Sequence, residues 1–358
     1  MQGGNYWQKT LTRRIARRRF LARTAAGAGA LGALATFGCD GEEEAPKPGT
    51  TPSAAPAGFE GAKYGGKMVF AINDPPVTFD FHTQDPPGSH AAAHPAYNGL
   101  IRRLEDPPGR FKALEPELIE SWEQADDVTT VLKVREGVRF QDVEPLNGRE
   151  LTPEDIKYTI ERAAAKHIGA GEVAGEFRMR DLFAPIERID IDGQNVRLTT
   201  AHPYAPLLSY LSFSWMQVLP RELTESTNRD RDVKTWAAGT GPFILQEYVP
   251  GDGGKVVYRK NPDYWRAGHP FADEYELPII TATETTQAKF LAGDVDTAFS
   301  FDATQTKAIK TAKPEIQLTS LPGFYVVKIY WDLTSGSPWA KDKRLRQAMT
   351  HLVPYQTI

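Results

Sequence analysis

The sequence predicts a mixed α/β protein of at least two domains, assembled from many short elements. Three observations carry this. A chain of 358 residues is longer than one ordinary hydrophobic core organises. Its 27 prolines and 30 glycines favour short elements joined by turns over long helical bundles. The clearest local pattern, residues 239–265, is a β-hairpin. Gly239-Thr240-Gly241-Pro242 makes a tight entry, and residues 243–249 are an apolar-rich run of strand length. Pro250-Gly251-Asp252-Gly253-Gly254 is dense turn chemistry, and residues 255–259 return with β-branched side chains. Asn261-Pro262-Asp263-Tyr264-Trp265 closes the unit with two aromatics that suit a partly buried position.

Hydrophobic residues make up 41% and charged residues 25% of the chain, the balance of a soluble globular protein. A net charge of −4 gives no global reason to bind nucleic acid. The single cysteine, Cys39, excludes an internal disulfide, and a Cys-ligated metal or a Cys–His nucleophile would have to use it.

The first 39 residues read as an export signal. Arg13-Arg14 and Arg17-Arg18-Arg19 precede Phe20-Leu21, and a Gly/Ala-diluted apolar run over 24–37 ends at Gly38-Cys39. A basic segment before so short and weakly apolar a run predicts secretion rather than a stable membrane span. Arg17-Arg18-Arg19-Phe20-Leu21 resembles the twin-arginine export motif, with Ala16 where Ser or Thr is preferred. Gly38-Cys39 resembles the end of a bacterial lipobox, with Thr36 and Phe37 departing from it. That resemblance makes Cys39 the expected lipid attachment point and the membrane a partner; the other reading is a buried or spare thiol. The arginines could instead form a nucleic-acid arm, but the apolar run behind them has no use there. Residues 40–64 follow as a tether, acidic and then rich in Pro, Ala, Ser and Thr.

The folded chain begins with a short strand over 66–72. Asn73-Asp74-Pro75-Pro76-Val77-Thr78-Phe79-Asp80 leaves it as a loop, because its prolines forbid helix. Residues 89–103 are a helix candidate. Residues 129–134 alternate, with Leu132 and Val134 on one face, as a half-buried strand does. Thr152-Pro153-Glu154-Asp155 is a helix start with a capping-box arrangement, followed by Ile156, Ile160, Ala163 and Ala164 on one face. This helix is expected to be amphipathic scaffold without chemistry. Residues 189–198 form a hairpin about Gly193, and 206–211 begin a short helix. Residues 222–234 are a charged connector to the hairpin. Residues 285–291 are helical, 325–331 alternate as a strand, and Leu345, Ala348, Met349, Leu352 and Val353 give a helical stripe.

Several of these segments together resemble family 5 extracellular solute-binding proteins, the peptide- and nickel-binding receptors of ABC importers. The hairpin resembles the family's Gly-Thr-Gly-Pro … Arg-Asn-Pro-x-Tyr-Trp segment. Ala96-Tyr97-Asn98-Gly99-Leu100-Ile101-Arg102 resembles its Tyr-Glu-Gly-Leu-Val-Arg, with Asn98 in place of the acid. Residues 114–123 resemble its Pro-x-Leu-Ala-x-Ser-Trp turn, and Arg135-Glu136-Gly137-Val138-Arg139-Phe140 its Arg-x-Gly-Val-x-Phe. Gly293-Asp294-Val295-Asp296 and residues 342–349 match two further segments. The resemblance implies an α/β, periplasmic-binding-protein type II-like two-lobed fold, mainly lobe I being present. Residues 65–323 would form lobe I, with an inserted subdomain over about 96–220. Residues 324–358 would be the crossing strand and first helix of an incomplete lobe II. Family members run well past this point, so the resemblance predicts a chain truncated before the second lobe.

It further implies an extracytoplasmic, lipid-anchored receptor that captures a solute, most readily an oligopeptide, for ABC permease subunits. No cofactor and no catalysis are expected. No Gly-x-Ser-x-Gly frame is present, Gly239-Thr240-Gly241 lacks the Lys of a phosphate loop, and Asp294 and Asp296 read as turn residues. The candidate ligand contacts are Asn73, Asp74, Thr78 and Phe79 on the first loop, and Tyr325 and Trp331 on the crossing strand. Their alternatives are a surface turn and a core strand. His90-Ala91-Ala92-Ala93-His94 places two imidazoles on one helical face, a spacing that zinc and nickel sites use. The other reading is a pair of solvent-facing or capping histidines. A nickel-, metal- or haem-binding receptor of the same type, or a truncated fragment without function, are the alternatives to peptide capture.

Overall fold

The computed structural model describes residues 63–352, apart from 84–86, 107–109, 168–172, 227, 229–231, 298–301, 319–330 and 335. The predicted signal, Cys39 and nearly all of the tether lie outside these residues, as do Tyr325 and all but the last residue of the crossing strand. Among the described residues, no helix is long and apolar enough to cross a membrane.

Ten strands are described: β1 (Lys67–Val69), β2 (Ile101–Glu105), β3 (Phe111–Pro116), β4 (Ile119–Gln124), β5 (Thr129–Val134), β6 (Ile186–Asp192), β7 (Asn195–Thr200), β8 (Phe243–Val249), β9 (Lys255–Lys260) and β10 (Glu274–Pro278). The helices are α1 (Pro87–Ala93), α2 (Pro153–Ala163), α3 (Arg180–Phe183), α4 (Leu207–Leu211), α5 (Arg221–Thr224), α6 (Thr283–Ala292), α7 (Ala303–Ala312), α8 (Pro338–Lys341) and α9 (Lys343–Leu352).

Strands from distant sequence share one sheet, in the order β1-β10-β9-β8. Met68 lies opposite Tyr275 in a parallel pair, and the β8–β9 hairpin joins antiparallel, with Tyr258 opposite both Tyr275 and Leu245. A second sheet, β4-β5-β7-β6, is wholly antiparallel. Its alternation is set by side-chain chemistry: Leu132, Val134, Val196 and Leu198 are fully buried, while Lys133 between them faces water. Gly193 turns the β6–β7 hairpin at φ 57°, a left-handed conformation that costs glycine little. One contiguous core joins the two sheets, running from Ile72 and Phe79 through Ile156 and Ile160 to Tyr258 and Ile279.

The start of α2 forms as its sequence predicts, with Pro153 in the first turn and the Thr152 amide donating to Asp155 Oδ2 at 2.9 Å. Asp155 also accepts two hydrogen bonds from Arg149, each at 2.8 Å. Helix α2 packs on β6 and β7.

Three segments differ from expectation. The helix candidate 89–103 is α1, then a 3-10 turn over His94–Ala96, then strand β2. Pro95 offers no amide to continue the α-helix, and Ile101 to Glu105 find hydrogen-bonding partners in β3 instead. The charged connector after Pro220 contains the short helix α5. Helix α9 forms, but its apolar stripe is open to solvent: Leu345, Met349 and Leu352 are 43%, 37% and 74% exposed. Its main packing partner is α8, four residues long and too short to cover that face.

Candidate functional site

The hairpin and its aromatic closure clasp the Tyr97-Asn98-Gly99 segment. The Gly241 amide donates to the Ala96 carbonyl at 2.9 Å. A Cβ on Gly241 would lie 2.2 Å from the Ala96 carbonyl carbon, and one on Gly239 would lie 2.3 Å from the Tyr97 ring. Neither glycine has a positive φ, so both are required by close approach rather than by turn conformation. Gln141 crosses the junction, donating to the Gly241 and Phe243 carbonyls at 3.2 and 2.7 Å.

Asn98 sits at the centre of the clasp. Its Oδ1 accepts from Thr240 Oγ1 and Trp265 Nε1, both at 3.2 Å. Its Nδ2 donates to Glu117 Oε1 at 3.0 Å and to the Tyr264 hydroxyl at 3.2 Å. An ionised carboxylate at this position could not donate to Glu117, whereas the amide does. Glu117 also accepts from the Gly99 amide at 3.1 Å, and burial pushes its carboxyl above the ordinary value. The guanidinium groups of Arg135 and Arg266 lie 5.0 and 5.1 Å from the Trp265 ring, within cation–π range.

Behind the clasp is an ion pair that sequence reasoning missed. Arg162 of α2 meets Asp80 with two hydrogen bonds, Nη1 to Oδ1 at 3.0 Å and Nη2 to Oδ2 at 2.7 Å. The two side chains are 1% and 0% exposed. Arg162 Nη1 also lies 3.1 Å from His82 Nδ1, and His82 Nε2 lies 3.2 Å from the Gln217 carbonyl. An arginine offers only donors, so Nδ1 accepts, Nε2–H donates, and the ring is neutral. Burial and the neighbouring Arg162 charge push His82 down to about 3. Burial alone would raise Asp80, but Arg162 more than offsets it and holds the carboxyl below its ordinary value.

This arrangement predicts a pH dependence. The unfolded chain protonates His82 at its ordinary 6.5 while the folded chain does not until about 3. Its contribution to stability is therefore full above 6.5 and is lost as pH falls toward 3, by at most about 1.4 kcal/mol per pH unit. Asp80 acts in the same direction, but only below its ordinary 3.8. Urea unfolding of the unmodified chain from pH 7 to 4 should fall more steeply than that of a His82→Gln variant; parallel curves refute the assignment.

The loop carrying Asn73, Asp74, Thr78 and Phe79 is firmly built. The Ser89 hydroxyl accepts from the amides of Val77 and Thr78 at 2.8 and 3.2 Å. The Tyr248 hydroxyl donates to the Pro76 carbonyl at 2.5 Å, and Phe79 meets the Tyr248 ring edge-on at 5.1 Å. A Cβ on Gly88 would lie 1.9 Å from the Asp74 carbonyl oxygen. Phe79 is 1% exposed and Thr78 is buried, so both point inward; Asn73 is half-buried and Asp74 exposed. The loop leaves the carboxyl end of β1, beside that of β10, where the Ile280 amide donates to the Ile72 carbonyl at 2.8 Å. Trp331 lies in no strand, is half-buried, and its ring centre is 4.8 Å from that of Trp339.

A separate cleft of about 1240 Å³ is lined by His90, His94, Arg102, Glu117, Trp215 and Tyr264 among others; none of residues 73–79 lines it. His90 and His94 face each other, with their Nε2 atoms 2.8 Å apart. His94 belongs to the 3-10 turn rather than to α1, yet the two rings meet as the spacing of four predicts. Among the described residues, no group of three or more His, Cys, Asp or Glu side chains could hold a metal ion.

Residues 113–358 match the profile described as bacterial extracellular solute-binding proteins, family 5 Middle. The chain belongs to this family. Di/tripeptide-binding protein 2 of Pseudomonas aeruginosa is 29% identical over 238 residues, which is 63% of this chain and 40% of that protein. Heme-binding protein A of Haemophilus influenzae is 24% identical over 281 residues, 75% of this chain and 49% of that one. The periplasmic binding protein DppA from Helicobacter pylori, solved with the peptide STSA, superimposes with a TM-score of 0.62 at 21% identity, over 70% of this chain and 49% of its own. The described residues therefore adopt the α/β fold of family 5 periplasmic binding proteins. The chain spans about half the length of the curated relatives it matches.

Proposed function

We propose that this family 5 chain works in an extracytoplasmic receptor that captures a short peptide and delivers it to the permease of an ABC importer. The similarity to Di/tripeptide-binding protein 2 over 238 residues carries this reading. Family 5 neighbours solved with the peptide STSA and with Met-Leu point the same way. Residues 65–323 would serve as lobe I, with the insertion over about 96–220, and 324–358 would open lobe II. A signal over 1–39 with a lipid on Cys39 would hold the receptor at the outer face of the membrane.

Asn73 and Asp74 are the loop residues best placed to touch the solute. They stand at the carboxyl end of a parallel strand pair, the usual ligand position in open α/β sheets. Ser89 and Tyr248 hold their loop before any ligand arrives, which lowers the ordering cost of binding. The peptide's backbone would be satisfied by protein groups as the lobes close, and no covalent step is involved.

Calorimetry of the full chain against defined di- and tripeptides tests this. We expect saturable one-to-one binding, weakened at least tenfold in an Asn73→Ala/Asp74→Ala variant. Absence of binding to every peptide by a folded chain rejects the receptor reading. Unchanged affinity in the double variant rejects the loop as the contact.

A further inference from the structure

We propose that α9 lies on the surface of an anionic lipid bilayer, its axis parallel to the surface and its apolar stripe sunk among the headgroups. The inference goes beyond peptide capture and does not rest on it.

The helix has the pattern of an interfacial helix and none of the packing of a core one. At about 100° per residue, Leu345, Ala348, Met349 and Leu352 fall within one arc. Arg344 and Arg346 border that arc, one on each edge, and Lys343, Gln347 and Thr350 occupy the opposite side. No residue of α9 is buried, and the three large members of the stripe stand in water. Its 10 residues span only about 15 Å. That is about half the thickness of a hydrocarbon core, so the helix can lie on a bilayer but not cross it.

Charge selects the occupant. Residues 338–352 carry Lys341, Lys343, Arg344 and Arg346 against the single acid Asp342, a net of +3 in a chain whose total is −4. Each cation close to an anionic bilayer strengthens binding about fivefold, so a net of three is worth about a hundredfold. The long stems of arginine and lysine let their charged ends reach the headgroups while the stripe between them enters the apolar layer. A nucleic acid would satisfy the cations and leave the stripe in water. A second copy of the same face would set Arg344 and Arg346 against their like. A bilayer offers an anionic layer and an apolar one within the width of a single helix.

Helix α8 fits the same surface. Arg346 donates from Nη1 to the Trp339 carbonyl, which ties α8 to the edge of the stripe. The Trp339 and Trp331 rings are both half-buried and neighbour each other. An apolar ring with one N–H donor suits the headgroup level.

The test reads the helix locally, because the basic and apolar segment over 13–37 gives the full chain a second route to vesicles. A Cys39→Ser change in the full 358-residue chain removes its one cysteine. Met349→Cys on the stripe, or Gln347→Cys on the opposite side, then carries an environment-sensitive fluorophore. With vesicles of phosphatidylglycerol and phosphatidylcholine, the probe at 349 should shift to the blue and the probe at 347 should not. The shift should saturate at least tenfold earlier in lipid than with phosphatidylcholine alone. Adding Leu345→Ser/Leu352→Ser, with an unchanged circular dichroism spectrum, should weaken it at least tenfold. A probe at 349 that stays in water, or that moves together with the probe at 347, overturns the proposal; these two readings need no serine variant. Equal affinity in the folded serine variant also overturns it. So does a shift on concentrating the protein without vesicles, which makes a second copy the occupant. An equal shift with single-stranded DNA overturns it as well, since the cations alone would then be the site.

Discussion

An Arg162→Met variant is expected to lose about 3–5 kcal/mol of unfolding free energy. Arg162 and Asp80 are both withdrawn from water, and the guanidinium supplies two of the three hydrogen bonds to the carboxylate, the third coming from the His82 amide at 2.9 Å. Removing it strands a buried charge, whose desolvation is no longer offset. The loss should extend beyond one contact. Arg162 ties α2 to the segment that follows the 73–79 loop, stands beside His82, and lies 5.1 Å from the Phe177 ring. Replacing both partners, as Arg162→Met/Asp80→Leu, should recover a large part of the loss, because well-packed apolar pairs are often as stable as the ion pairs they replace. Urea unfolding followed by far-ultraviolet circular dichroism gives both numbers. A single variant within about 1 kcal/mol of the unmodified chain would show that this pair does not anchor the core.

The second large effect is expected from the smallest possible substitution. Gly241→Ala should cost about 3 kcal/mol or more, the upper end for overpacking. The added methyl would sit 2.2 Å from the Ala96 carbonyl carbon and 2.4 Å from the Tyr97 amide nitrogen. Both are backbone atoms, so no side chain can swing aside. The clasp must open, and with it the hydrogen bonds of Thr240 and Trp265 to Asn98. Gly175→Ala is the matched control: its Cβ would meet nothing within 4 Å, and its cost should stay within about 0.5 kcal/mol. Thermal melts should separate the two variants by roughly 6–12 °C. Equal melting temperatures would mean that the close approach of the two backbones is not part of the folded state.

The contrast between Gly241 and Arg162 shows what a single sequence exposes. The hairpin over 239–265 was legible because turn residues and β-branched runs are local signals, and β8 and β9 fall where those signals put them. The reason for its glycines was not legible, since it lies in a backbone contact with residues some 145 positions earlier (241 minus 96). The α2 start was readable from four consecutive residues, but not that Arg162 on the same helix faces inward. Its partner Asp80 is 82 positions away, and charge type alone says nothing about pairing across such a distance. Strand β2 was hidden for a different reason. Ile101 to Glu105 carry no strict alternation, and only their pairing with β3 fixes their conformation. The histidine spacing pointed to two rings on one face; the 2.8 Å approach of their nitrogens needed coordinates.

The parallel pairing of Lys67 with Glu274 has a bearing on synthesis. The two residues are 207 positions apart (274 minus 67), so a ribosome working at about 5–20 residues per second leaves β1 without its neighbour for roughly 10–40 s. The antiparallel sheet of β4 to β7 is complete by residue 200 and has no such wait. The nascent chain can therefore complete its antiparallel sheet while its first strand still lacks the neighbour it pairs with in the folded protein.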